Sequence, residues 1–124
     1  MKDTIYLLDT HGDLPKAIVA LRDSSNPPEN ASDAVYEVRS PNAEEIFSLI
    51  KKMHVLYSEC NSGTDGDIWT CLPPDMVLDT IVGACHAPET VREYDPDGYI
   101  PVPTFRFEVV VDKLSTERQR ALRA

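Results

Sequence analysis

The stretch Thr4-Ile5-Tyr6-Leu7-Leu8-Asp9-Thr10-His11-Gly12-Asp13-Leu14-Pro15-Lys16-Ala17-Ile18-Val19-Ala20-Leu21 decides how this chain is read. Residues 4–9 are apolar on both alternating faces, Ile5 and Leu7 against Tyr6 and Leu8, which is the pattern of an interior strand. Gly12 supplies the backbone freedom for a tight turn after it. Asp13 has the chemistry of an N-cap, and Pro15 falls where a first helical turn tolerates it. Leu14, Ala17, Ile18 and Leu21 share one stripe at helical spacing, so the pattern predicts a helix over 14–23.

Working outward, Ser24-Ser25-Asn26-Pro27-Pro28-Glu29-Asn30 ends that element, because two prolines cannot continue a helix. Residues 24–33 are expected to form a flexible loop. Ala34 to Arg39 reads as a second strand with Tyr36 and Val38 inward. Ser40-Pro41 starts a helix over 41–58, Ser40 as N-cap, with Glu44 and Glu45 at its positive end. Its apolar face is Ile46, Leu49, Ile50, Met53, Leu56 and Tyr57. Residues 60–67 are turn-rich, and Ile68 to Leu72 reads as a short strand.

Pro73-Pro74-Asp75 opens a third helix with the stripe Val77, Leu78, Ile81, Val82 and Cys85, ended by Ala87-Pro88. Asp95-Pro96-Asp97-Gly98 is a turn between Thr90–Tyr94 and Tyr99–Val102, compatible with a hairpin. Pro101 and Pro103 confine that part to a sheet edge. Thr104 to Val111 alternates as a strand, with Phe105, Phe107, Val109 and Val111 on one face. Ser115 is placed to cap a short basic helix over 113–124.

The order of elements predicts an α/β fold, with α+β left open. One compact domain is expected over 1–124, a three-to-five-stranded sheet covered by three or four helices. A chain of 124 residues has room for one core and buries roughly two-thirds of its unfolded surface. Three widely spaced cysteines do not make a secreted disulfide framework. The first residues do not form a signal peptide and no stretch approaches a membrane span, so the expected location is the cytoplasm. Asn30-Ala31-Ser32 then goes unglycosylated.

Charge is the most informative property. The formal net charge is −9, with 12 Lys and Arg against 21 Asp and Glu. Residues 113–124 carry Lys113, Arg118, Arg120 and Arg123 against Glu117, so the acidity belongs to the body of the chain. Between residues 59 and 97, Glu59, Asp65, Asp67, Asp75, Asp79, Glu89, Glu93, Asp95 and Asp97 face only Arg92. Such a surface repels phosphate backbones and anionic membranes over a Debye length, roughly 8 Å in physiological salt. It attracts a basic protein. Trp69, the single tryptophan, adjoins this acidic run and has the size of an interface anchor or of a core residue.

The turn Asp9-Thr10-His11-Gly12-Asp13-Leu14 resembles the first motif of the calcineurin-like metallophosphoesterases, a strand followed by Asp-x-His-Gly and a helix. The resemblance implies that Asp9 and His11 ligate one metal of a two-metal pair, with Asp13 beside them, to activate water for phosphoester hydrolysis. It covers about 18 residues. The family's later motifs are not matched: Gly66-Asp67 is followed by Ile68-Trp69-Thr70 without a second carboxylate, no Asn-His pair exists, and Gly83-Ala84-Cys85-His86 has an extra residue. Cys60, Cys71, Cys85 and His86, with His54, are the other candidate ligands, for zinc. They are separated by long gaps without a Cys-x-x-Cys knuckle, and Cys85 fits the apolar stripe of its helix.

Two functions follow. The leading expectation is a non-catalytic acidic protein that binds a basic partner as an inhibitor, of the immunity-protein or nucleic-acid-mimic type, without cofactor. Its binding residues are the acids from Glu59 to Asp97 together with Trp69. The alternative is a metal-dependent, phosphoesterase-like hydrolase acting through the Asp9-Thr10-His11-Gly12-Asp13 turn, with Asp9 and His11 as metal ligands.

Overall fold

In the computed structural model the first strand, β1 (Thr4–Asp9), is the middle of a five-stranded sheet. The structure describes residues 1–55 and 66–115. Its elements in chain order are β1, β2 (Ala17–Arg22), β3 (Ala34–Arg39), α1 (Ala43–Val55), β4 (Ile68–Thr70), α2 (Pro74–Cys85), α3 (Ala87–Tyr94) and β5 (Glu108–Asp112), with a 3-10 turn at Ala31–Asp33. The sheet order is β4-β2-β1-β3-β5. Every pairing is antiparallel.

The expected helix over 14–23 is a strand. The chain turns back at residues 10–16 and pairs β2 with β1, Leu7 opposite Val19 and Leu8 opposite Ile18. Ala17, Ile18, Val19, Ala20 and Leu21 satisfy both a helical stripe and a two-residue alternation, and pairing with an apolar strand decides between them. β-branched Ile18 and Val19 favour the same outcome. Leu14, assigned to the helical stripe, is 68% exposed. The turn closes through Thr10, whose N–H donates to the Lys16 carbonyl at 3.3 Å and whose hydroxyl donates to the Pro15 carbonyl. The left-handed residue there is His11, φ 55°, rather than Gly12.

One face of the sheet carries Ile5, Leu7, Ala17, Val19, Tyr36, Val38 and Ile68. Against it pack Ile46, Phe47 and Ile50 of α1 and Val77, Leu78, Ile81, Ala84 and Cys85 of α2. The other face carries a smaller cluster, Tyr6, Leu8, Ala20 and Ala34, with Ile18 packed against it. Helix α1 starts at Ala43 rather than at 41; a turn over Pro41 and Asn42 precedes it, in which the Ser40 hydroxyl accepts the Asn42 N–H at 2.9 Å and donates to the Arg106 carbonyl. Leu56 and Tyr57, assigned to the same helix, lie outside the described residues.

Five further expectations change. Val82 is exposed rather than part of the α2 stripe. Ala87-Pro88 begins α3 instead of only ending α2, since proline's fixed φ suits a first helical turn. Residues 90–94 are therefore helical, and the turn at Asp95–Gly98, closed by the Gly98 N–H on the Asp95 carbonyl at 3.1 Å, joins α3 to an irregular segment rather than to a hairpin strand. The last strand is 108–112; Phe105 and Phe107 pack on the core before it begins, and Val109 is 43% exposed at the sheet edge. Asp112, not Ser115, caps the turn that follows, accepting the Ser115 N–H at 2.9 Å. The remainder of the basic segment 116–124 lies outside the described residues.

Loop 23–30 is tied down at its start. The Asp3 carboxylate accepts the Ser24 N–H at 2.8 Å and the Ser24 and Thr4 hydroxyls at 3.1 Å. These bonds, the backbone one foremost, hold the Asp3 carboxyl below its ordinary range against its partial burial.

Two measurements test this architecture. Leu7→Ala is expected to cost about 2–5 kcal/mol in denaturant unfolding, whereas Leu14→Ala stays within about 0.5 kcal/mol because its side chain is already in solvent. A helix over 14–23 would make the second substitution costly. Asp3→Asn is expected to destabilise at neutral pH. A depressed folded-state pKa contributes stability above the unfolded value and loses it as pH falls, so the gap between the two proteins should close below about pH 4.

Candidate functional site

Helices α2 and α3 owe their burial to Val77, Leu78, Ile81, Ala84, Cys85 and Pro88, which leaves their outer turns to charge. Asp75 and Asp79 are one helical turn apart on α2 and exposed; Glu89 and Glu93 repeat the spacing on α3 and are exposed. Asp97 is exposed in the turn after α3, and Asp95 is half-buried there, its carboxylate accepting the Ile100 N–H. Arg92, on the same helix, donates to the Pro103 carbonyl and the Thr104 hydroxyl, both at 3.1 Å. His86, between the helices, meets the Glu89 carboxylate at 3.0 Å and sets its ring edge-on to Phe107. Glu59 and Asp65 lie outside the described residues.

The other two expected binding residues, Asp67 and Trp69, sit elsewhere. Cross-strand pairing places Leu8 opposite Ile18 and Ile18 opposite Trp69, a row across β1, β2 and β4 on the face away from the helices. At the end of this row Arg22 holds Asp67 with both ends of its guanidinium, Nη1 to Oδ1 at 2.7 Å and Nη2 to Oδ2 at 2.9 Å. Both side chains are largely buried, 24% and 13% exposed. The Asp67 charge is thus met inside the molecule. Residues Asn26, Pro27, Pro28, Glu29 and Asn30 stand over the row as a wall. Between wall and sheet lies an open cleft of about 730 Å³.

Nothing in the composition announces this cleft. Its floor requires β2 to be a strand in register with β4, and its wall is the Pro27-Pro28 loop that the sequence marks only as a breaker. The available signal was Trp69 beside an apolar strand, an aromatic with no assigned partner.

The turn at Asp9–Asp13 has a different setting from the one the phosphoesterase resemblance implies: β1 runs into a hairpin, not into a helix. The Asp9 carboxylate accepts the His11 N–H at 2.9 Å. The exposed His11 ring lies 3.6 Å from Asp9 and 3.6 Å from Asp33 of the 3-10 turn. Asp13 is exposed in the loop. Among the described residues, no group of three or more His, Cys, Asp and Glu side chains is arranged to hold a metal ion. Cys85 is buried in the core, where desolvation pushes its thiol up to about 11, while Cys71 is half-buried; Cys60 and the His54 side chain lie outside the described residues. Tyr36, in the same core, is pushed up to about 12 by its burial first and then by Cys85 and Asp112.

Among the described residues no helix is long and apolar enough to cross a membrane. Comparisons with family models, curated proteins and solved structures find no match to this chain.

The Arg22–Asp67 pair gives a direct test of the cleft's geometry. Asp67→Asn leaves a largely buried guanidinium without its charged partner and is expected to cost about 1–3 kcal/mol in denaturant unfolding. Asp97→Asn, at an exposed turn, is expected to change stability by no more than about 0.5 kcal/mol.

Proposed function

We propose that this is a small, non-catalytic acidic protein of the cytoplasm that binds a basic protein surface and inhibits its partner, in the manner of an immunity protein or a nucleic-acid mimic. One observation carries the reading. Asp75, Asp79, Glu89, Glu93 and Asp97 are all exposed along α2, α3 and the turn that follows, while Arg92, the only Lys or Arg from residue 74 to 97, turns its guanidinium to residues 103 and 104.

The physics of such a surface is directional. A net charge of −9 steers cationic partners toward it and repels nucleic acid and anionic membranes. Carboxylates in a cationic groove compete with the phosphates that groove would otherwise bind, which is how an acidic protein becomes an inhibitor without chemistry of its own. Rigid helices hold these carboxylates at defined spacing, so little ordering entropy is lost on binding.

Affinity capture with the full chain, followed by titration against the recovered protein, tests the proposal. The partner is expected to be basic, and the association rate is expected to fall as salt rises. The combined variant Asp75→Asn/Asp79→Asn/Glu89→Gln/Glu93→Gln should keep its fold and lose on the order of tenfold or more in affinity, from about 0.2–1 kcal/mol per exposed pair. An affinity independent of salt, or unchanged in that variant, refutes it.

A further inference from the structure

We propose that the cleft over Leu8, Ile18 and Trp69 receives an arginine side chain of the basic partner, stacked on the Trp69 indole and paired with Glu29. This rests on the binding role proposed above and assigns it a second contact point, away from α2 and α3.

The cleft has three properties that an arginine needs together. Its floor is an apolar row ending in an indole, Leu8–Ile18–Trp69, set by strand register. A guanidinium is planar and weakly hydrated, so it stacks on an aromatic face while its methylene stem lies along aliphatic surface. The wall adds Glu29 and the amides of Asn26 and Asn30, acceptors matched to a fork of N–H donors. Finally, among the described residues the charged groups lining the cleft are Arg22, Asp67 and Glu29, and the first two are bonded to each other. Glu29, an exposed carboxylate, is left as the lining charge that the Arg22–Asp67 pair does not absorb.

The same inventory disfavours other occupants. An anion would meet Glu29 and the −9 field, with the Arg22 guanidinium engaged by a bidentate carboxylate. A purely apolar side chain would desolvate the two asparagines and Glu29 without return. At about 730 Å³ the space lies within the usual range of ligand sites and exceeds one side chain, so flanking residues of the partner enter with the arginine.

Trp69 is the only tryptophan in the chain, so its emission reports on this cleft alone. The test titrates the full chain with hexa-arginine and with hexa-lysine peptides, following tryptophan emission and, separately, heat of binding. Hexa-arginine is expected to change Trp69 emission saturably and to bind more tightly than hexa-lysine. Trp69→Leu and Glu29→Gln should each weaken hexa-arginine about three- to tenfold, whereas Asp75→Asn/Asp79→Asn should weaken both peptides alike. Glu29 is exposed, so its variant keeps the test decisive if Trp69→Leu fails to fold. Calorimetric binding of hexa-arginine with unchanged emission and an unchanged Glu29→Gln affinity overturns the cleft while leaving the acidic surface standing. Binding of neither peptide overturns both.

Discussion

The fold depends on one constraint: β1 is apolar on both faces and must be covered on both. Ile5 and Leu7 look toward the helices, Tyr6 and Leu8 away from them, and all four are buried. A strand of this kind is stable only with neighbours on each edge and a layer on each side. Its flanking strands β2 and β3 supply the edges. Helices α1 and α2 supply one layer. The second layer is irregular backbone, the segment between β2 and β3, held by its own turns and by Asp3.

That asymmetry is what generates the cleft. A helix would have filled the outer face with side chains at close packing. The proline-bearing loop instead lines an open cleft together with Leu8, Ile18 and Trp69 of the strands. The residues exposed by that gap are fixed by strand parity: once Leu8 pairs with Ile18, Trp69 must join the same row. The Arg22–Asp67 pair closes the end of the row, joining the last residue of β2 to the residue before β4. The floor of the cleft and the register of the sheet are therefore the same fact. A one-residue slip of β4 would send Trp69 to the helical face and Ile68 into the cleft.

The sequence carried the parts of this architecture that rest on one signal at a time. The Ile46–Ile50 face of α1 and the Val77–Cys85 stripe each have a single reading, and each is found as read, except Val82 at the margin of its stripe, while Ser40 bonds the turn that precedes α1. It misled where two periods coincide. Ala17 to Leu21 fits a helix or a strand, and only the long-range pairing with β1 separates them. Pro88 was read as a stop when it is a start, because proline ends one helix and opens the next with the same fixed φ. The site divides similarly. The exposed acids of α2 and α3 were readable from composition, since charge on helices stays outside unless paired. Asp67 was readable as an acid but not as one spent on Arg22, a partner 45 positions away.

The acids of α2 and α3 are not all explained by their own helices. Asp75 and Glu89 lie in first turns, where the helix dipole favours a carboxylate, and so contribute to folding as well as to surface charge. Glu93 has no such reason. It sits in the last turn of α3, against the dipole, and one turn after Glu89, so both neighbours act to destabilise it by a few tenths of a kcal/mol. Asp79 stands in the middle of α2, one turn after Asp75, with like charge on the same side. Glu93 is thus placed against the preferences of its own helix. Under the proposed function the cost has a counterpart, because cations brought by a basic partner relieve the repulsion within each pair as they bind. Under that proposal, carboxylates spaced one turn apart on adjacent helices act together on a basic partner.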